Sequence, residues 1–260
     1  MSLMLKQYGF TLVEMVVTIV VLGVIMSGTA IYITNSTIAY NDVAQRDQLT
    51  SLGRVTVERV TRQIRNALPN SIRVSNNCIE FLPIIGSSVY LSLPTDSPAS
   101  NFTAAAFTLT PANGTPYVIV YPFSQAALYA GANPGPRAQF TSVAGSPTAT
   151  VTLTGTHRFV QHAPHRRFYI VDSPTSLCVV GTNLVRYRGY AISAAQNAPP
   201  SATAELLAEN IQINDGGAVT PFAYTPGTLR RNGIVAMDFR FLIDGEWIRL
   251  FHEVQVRNVL

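Results

Sequence analysis

From Phe10 to about Ile33 the chain is apolar at nearly every position, and only Glu14 interrupts the run with charge. At a rise of ~1.5 Å per residue, residues 15–33 are long enough to cross a hydrocarbon layer of ~30 Å as a helix. Beyond Ile33 the pattern changes: Asp42, Arg46, Asp47, Arg54, Glu58, Arg59, Arg62 and Arg65 interleave with Val43, Leu49, Leu52, Val60, Ile64 and Leu68. Spacings of three and four predict an amphipathic helix continuous with the apolar one. Glu58 and Arg62 stand in the favourable i,i+4 order, and Pro69 biases Leu68 out of helical geometry, so one helix is predicted over 10–68. Arg59, Arg62 and Arg65 fall on a solvated side of it.

After Ser71 the pattern shifts to short β-branched and aromatic runs between turn residues, at 89–93, 117–121, 150–154, 168–171 and 184–190. Between Pro94 and Pro147 the chain is crowded with Pro, Gly, Ala, Ser and Thr, and reads as long loops with an occasional strand. Near the C-terminus, 238–243 and 247–259 flank Asp244-Gly245, a pair suited to the positive φ angles of a type I′ turn. On the second of these strands Ile248, Leu250, His252, Val254 and Val256 alternate with Trp247, Arg249, Phe251, Glu253, Gln255 and Arg257, which predicts one buried aliphatic face. The fold class expected is therefore α+β, a long N-terminal helix with an antiparallel β-rich head.

Composition supports one sizeable core: 47% of the 260 residues are hydrophobic and 12% are charged. Ordinary soluble domains carry ~25% charge, so a disordered chain or coiled coil is excluded. The shortage of charge is concentrated in the apolar run and in the Ala/Ser/Thr/Pro-rich middle. A formal charge of +4 is small for this length and the arginines are scattered, so no specific nucleic-acid partner is expected.

Enzyme signatures are missing from the sequence: there is no Gly-x-Ser-x-Gly elbow, phosphate-binding glycine loop or His-Glu-x-x-His. His157, His162 and His165 lie close together, but no nearby carboxylate or cysteine completes a metal set, and Arg158, Arg166 and Arg167 would repel a cation. Asp215-Gly216-Gly217 lacks the alternating carboxylates of a calcium loop and reads as a turn. No catalytic residue, metal or cofactor is expected.

The N-terminus carries the most specific pattern. A short leader, MSLMLKQYG, precedes the apolar run, and a carboxylate inside a membrane helix costs ~2.5–3.5 kcal/mol at the centre, less near the end. An ordinary secretory signal has a shorter apolar region, and Gly28-Thr29-Ala30 supplies its cleavage site only imperfectly. The run Gly9-Phe10-Thr11-Leu12-Val13-Glu14 instead resembles the prepilin processing motif of type IV pilins and type II secretion pseudopilins. The resemblance implies a membrane-embedded prepilin peptidase that cuts after Gly9 and methylates the new amine of Phe10. It implies too that Glu14 meets the N-terminal amine of a neighbouring subunit, a pairing that offsets the cost of a buried carboxylate. Lys6 and the initiating amine lie on the leader side, which the positive-inside rule places in the cytoplasm. The organisation expected is a leader at 1–9, a helix at 10–68 with 10–33 in the inner membrane, and a head at 69–260 in the periplasm of a Gram-negative envelope.

Segments 206–211, 222–224, 232–235 and 252–259 loosely resemble larger minor pilins, those of mannose-sensitive haemagglutinin (MSHA) pili above all, and pseudopilin J. Major pilins commonly carry a proline that breaks the membrane helix, whereas 10–68 has none. The resemblance implies a minor pilin that takes part in assembly, as a tip initiator, of an MSHA-like type IV pilus. Its partners would be other minor and major pilins, the peptidase, the inner-membrane assembly platform and inner-membrane lipid. Two other roles stay open: a pseudopilin of a type II secretion system, or an adhesin or DNA-binding module displayed by the filament. The two cysteines, Cys78 and Cys178, both lie in apolar strand-like surroundings, and an oxidising compartment would favour a disulfide between them over two buried thiols.

Overall fold

The computed structural model describes residues 9–213, 220–228 and 231–256. Residues 1–8 of the leader, the Asp215-Gly216-Gly217 turn and the end of the last strand at 257–259 lie outside the described residues.

The chain divides into two compact units, residues 1–48 and 49–260. One helix, α1 (Leu12–Arg65), begins in the first. From Leu12 to Gln48 every residue except half-buried Gln45 is exposed, although the segment is rich in Val, Ile and Leu. Several of its hydroxyls bond within the helix: Ser27 Oγ donates to Gly23 O at 2.5 Å, and Thr29, Thr34 and Thr37 donate to Ile25, Ala30 and Ile33 carbonyls. Hydroxyls that bond their own helix carry no unpaired donor into lipid.

In the second unit the helix is amphipathic, burying Leu49, Gly53, Thr56, Val60, Thr61 and Ile64. Gly53 sits where a Cβ would collide with Leu250 Cδ1, so a side chain there would force Leu250 to move. The helix ends at Arg65, earlier than Pro69 alone requires. Ile84 N donates to Asn66 O at 3.0 Å and Leu68 N to Leu82 O at 2.8 Å, so residues 66–68 spend their backbone groups on an adjacent segment.

Among the described residues fifteen strands and a short helix follow: β1 (Arg73–Ser75), β2 (Cys78–Phe81), β3 (Ile84–Val89), β4 (Ala99–Ala105), β5 (Tyr117–Val120), α2 (Gln125–Ala130), β6 (Arg137–Ala144), β7 (Thr148–His157), β8 (Arg167–Val171), β9 (Thr175–Val180), β10 (Asn183–Arg188), β11 (Thr203–Ala208), β12 (Ile211–Gln212), β13 (Phe222–Thr225), β14 (Gly233–Ile243) and β15 (Glu246–Val256). All the pairings are antiparallel. One sheet runs β1-β2-β9-β10-β11, a second β3-β8-β5-β6-β7-β4, and in a third β12, β13 and β15 all pair with β14. The fold is α+β, a long apolar N-terminal helix followed by antiparallel sheets.

The middle of the chain holds more structure than the loop-rich expectation, since β4, α2 and β6 form between Pro94 and Pro147 beside β5, which falls on the run expected at 117–121. β4 reads ASNFTAA and β6 RAQFTSVA, with small side chains that signal strand only weakly. Pairing with β7 supplies what local preference lacks. The C-terminal hairpin turns on Asp244 and Gly245, with φ of 48° and 89°. A single unbroken register joins β14 to β15, and Val254 and Val256 are buried while Trp247, Arg249, Phe251, Glu253 and Gln255 face outward.

Candidate functional site

At the N-terminus, Thr11 precedes the first helical residue and accepts a hydrogen bond at Oγ1 from Glu14 N at 3.3 Å, while Met15 N donates to Thr11 O at 3.2 Å. Thr11-x-x-Glu14 has the spacing of a capping box, a signal legible in the sequence that the motif reading passed over. Glu14 thus stands in the first turn, where the helix dipole favours a negative charge. Its side chain is exposed and its carboxylate accepts no hydrogen bond among the described residues. Phe10, just before the helix, is 73% exposed. Gly9 has no positive φ, and a Cβ there would meet nothing within 4 Å. Neither backbone conformation nor crowding requires glycine at this position, which leaves its identity to chemistry outside the fold.

Cys78 and Cys178 are joined by a disulfide between β2 and β9, across the first sheet. Two residues beyond Cys78, Glu80 is buried with its side chain 2% exposed, against 10% for Arg73. Arg73 Nε donates to Glu80 Oε1 at 2.8 Å, and its other nitrogens reach Ala194 O at 2.8 Å and Ser193 O at 2.9 Å. Tyr190 donates to Glu80 Oε2 at 3.0 Å, and its hydroxyl lies 2.6 Å from Ser176 Oγ. Arg73 also stacks over the Tyr129 ring at 3.7 Å. Burial, with the Glu80 charge adding to it, pushes the Tyr190 and Tyr129 hydroxyls well above the usual tyrosine range, so both stay neutral donors. The network pins the loop after β10 to the first hairpin. No sequence signal joins these residues, because Glu80 and Tyr190 are 110 positions apart.

The three neighbouring histidines are dispersed to separate tasks. His157 is buried against Phe159 with Nε2 3.1 Å from Gly135 O, His162 lies between the hydroxyls of Tyr90 and Thr95, and His165 is exposed. Among the described residues no three His, Cys, Asp or Glu side chains form a metal-binding group. The helix α1 is long and apolar enough to cross a membrane, and none of its most apolar window is buried.

The family described as the prokaryotic N-terminal methylation motif matches residues 4–30 of the chain. No curated protein and no solved structure matches it.

Proposed function

Because the N-terminal methylation motif marks the chain as a member of the type IV pilin and pseudopilin family, we propose that this pilin-like structural subunit is a minor pilin that initiates assembly at the tip of an MSHA-like type IV pilus. The observation that carries the reading is the sequence Gly9-Phe10-Thr11-Leu12-Val13-Glu14 leading into the first turn of an apolar helix whose N-terminal part is exposed on all sides. Such a surface needs lipid first and other helices afterwards, and a pilin has both in turn.

In this reading residues 1–9 are a cytoplasmic leader, 10–33 span the inner membrane once, and the unit from Leu49 on lies in the periplasm before it reaches the pilus tip. The prepilin peptidase cuts after Gly9 and methylates Phe10. Glu14, already favoured by its own helix dipole, has its carboxylate free to meet the amine of Phe10 on an adjacent subunit. The lack of proline in 10–68 and the likeness of the tail to larger minor pilins favour a low-copy subunit over the major one.

A deletion strain tests the role. Loss of surface filaments, restored by the wild-type gene, is the expected result. Normal filaments that no longer adhere or take up DNA would replace the assembly role with a binding one, and a secretion defect with normal pili would assign the chain to a secretion pseudopilus.

A further inference from the structure

β15 is an edge strand. It pairs with β14 along its whole length, and no strand among the described residues pairs with its other side. Exposed edges are usually blunted by proline, a bulge or short length. β15 has 11 residues with no proline, no glycine and no register shift, and its outward Trp247 and Phe251 are 59% and 61% exposed.

Leu250, Phe251 and His252 are consecutive and so alternate faces, yet all three line one groove of about 410 Å³, which therefore follows the strand's edge. The opposite wall is Arg54, Val57, Glu58, Thr61 and Arg65, a single stripe of α1. On that wall Thr61 is 7% exposed, and its Oγ1 has no hydrogen-bond partner. Glu58 is engaged by Arg62, whereas Arg54 and Arg65 make no ion pair among the described residues. Their positions in the helix put them about 16 Å apart along its axis, the length of about five residues of extended chain.

We propose that this groove receives an extended segment of a different pilin-like subunit, which adds to β15 as a further strand. The segment turns an apolar side chain onto Val57 and Leu250 and carries carboxylates about five residues apart that meet Arg54 and Arg65. The proposal rests on the reading that the chain assembles with other pilins. A second copy of β15 fits poorly, because its own acids, Glu246 and Glu253, would lie about 23 Å apart in a strand.

The test uses the full chain in the deletion strain with benzoylphenylalanine at exposed Phe251, irradiation of whole cells, and mapping of the cross-linked peptide from detergent-extracted membranes. The expected result is an adduct to another pilin-like chain, at an extended apolar segment flanked by Asp or Glu. Arg54→Glu with Arg65→Glu should abolish it. No adduct, an adduct to a second copy or to an unrelated protein, or an adduct indifferent to the charge reversals would overturn the proposal. The mass of the N-terminus in the same extracts separates the two readings: a processed chain without the adduct sinks the groove alone, and an unprocessed chain sinks the pilin assignment.

Discussion

Cys178 lies directly opposite Cys78 in the register of β2 and β9, and a disulfide joins them 100 residues apart in the chain. Closing a loop of that length restricts the unfolded chain more than a short bridge would. Replacing both cysteines with alanine should cost ~2–5 kcal/mol. At about 2–4 °C per kcal/mol for a unit of this size, scanning calorimetry should show a melting point lower by roughly 10 °C. Recovery of both residues as free thiols in non-reducing peptide maps would remove the basis of this expectation.

Arg73→Ala should be among the most damaging substitutions of a charged residue. It leaves the Glu80 carboxylate buried without its cation and takes the donors from Ser193 O and Ala194 O. Breaking a buried pair in this way costs ~3–5 kcal/mol. Limited proteolysis should cut the segment after β10 faster in the variant than in the wild type, and equal rates would show that the network does not hold that loop.

Stability should fall in two stages on the acid side. Burial pushes the His157 pKa down, against a smaller opposing effect of its hydrogen bond to Gly135. Below ~6.5 the unfolded chain binds a proton that the folded chain refuses, so stability is lost as pH falls from there through the lower folded value. For Asp172 burial works against the charge, but hydrogen bonds from Asn113, Gly114 and Ser173 outweigh it and hold the carboxyl below its ordinary value. Its contribution is complete above ~3.9 and disappears as pH falls through the folded value. Melting curves between pH 8 and pH 3 check both stages: His157→Asn should remove the first and Asp172→Asn the second.

Gly9→Val should leave the fold untouched, since a Cβ there meets nothing. If a peptidase reads the scissile backbone, the variant accumulates uncut in the membrane. Intact-mass measurement distinguishes this from wild type, whose chain should begin at methylated Phe10; a valine variant cleaved as efficiently as wild type would contradict the assignment of Gly9.

Glu14→Gln should keep cleavage and membrane level but impair entry into filaments. Losing the favourable charge at its own helix N-terminus costs only ~0.3–1 kcal/mol. Leaving a neighbour's amine unpaired in an apolar bundle costs ~3–5 kcal/mol. Filament counts and cross-links to partner pilins separate the two effects, and wild-type values would confine Glu14 to its local role.

The sequence by itself determined the elements whose cause is local. A mostly apolar run without charge from Met15 to Ile33 makes a helix that no small core could cover, Asp244-Gly245 supplies the positive φ angles of a tight turn, and alternation from Trp247 onward sets which face of β15 is buried. Only the tertiary structure decided the rest, because its causes are pairings between distant positions. The Ala- and Ser-rich strands of the middle exist because β5 and β7 present backbone partners to them, Glu80 is bearable in the interior because Arg73 and Tyr190 converge on it, and the stripe of α1 from Arg54 to Arg65 becomes the wall of a groove because β15 lies opposite. Local preference carries no record of which remote segment will arrive, and the free energy of these arrangements resides in that arrival.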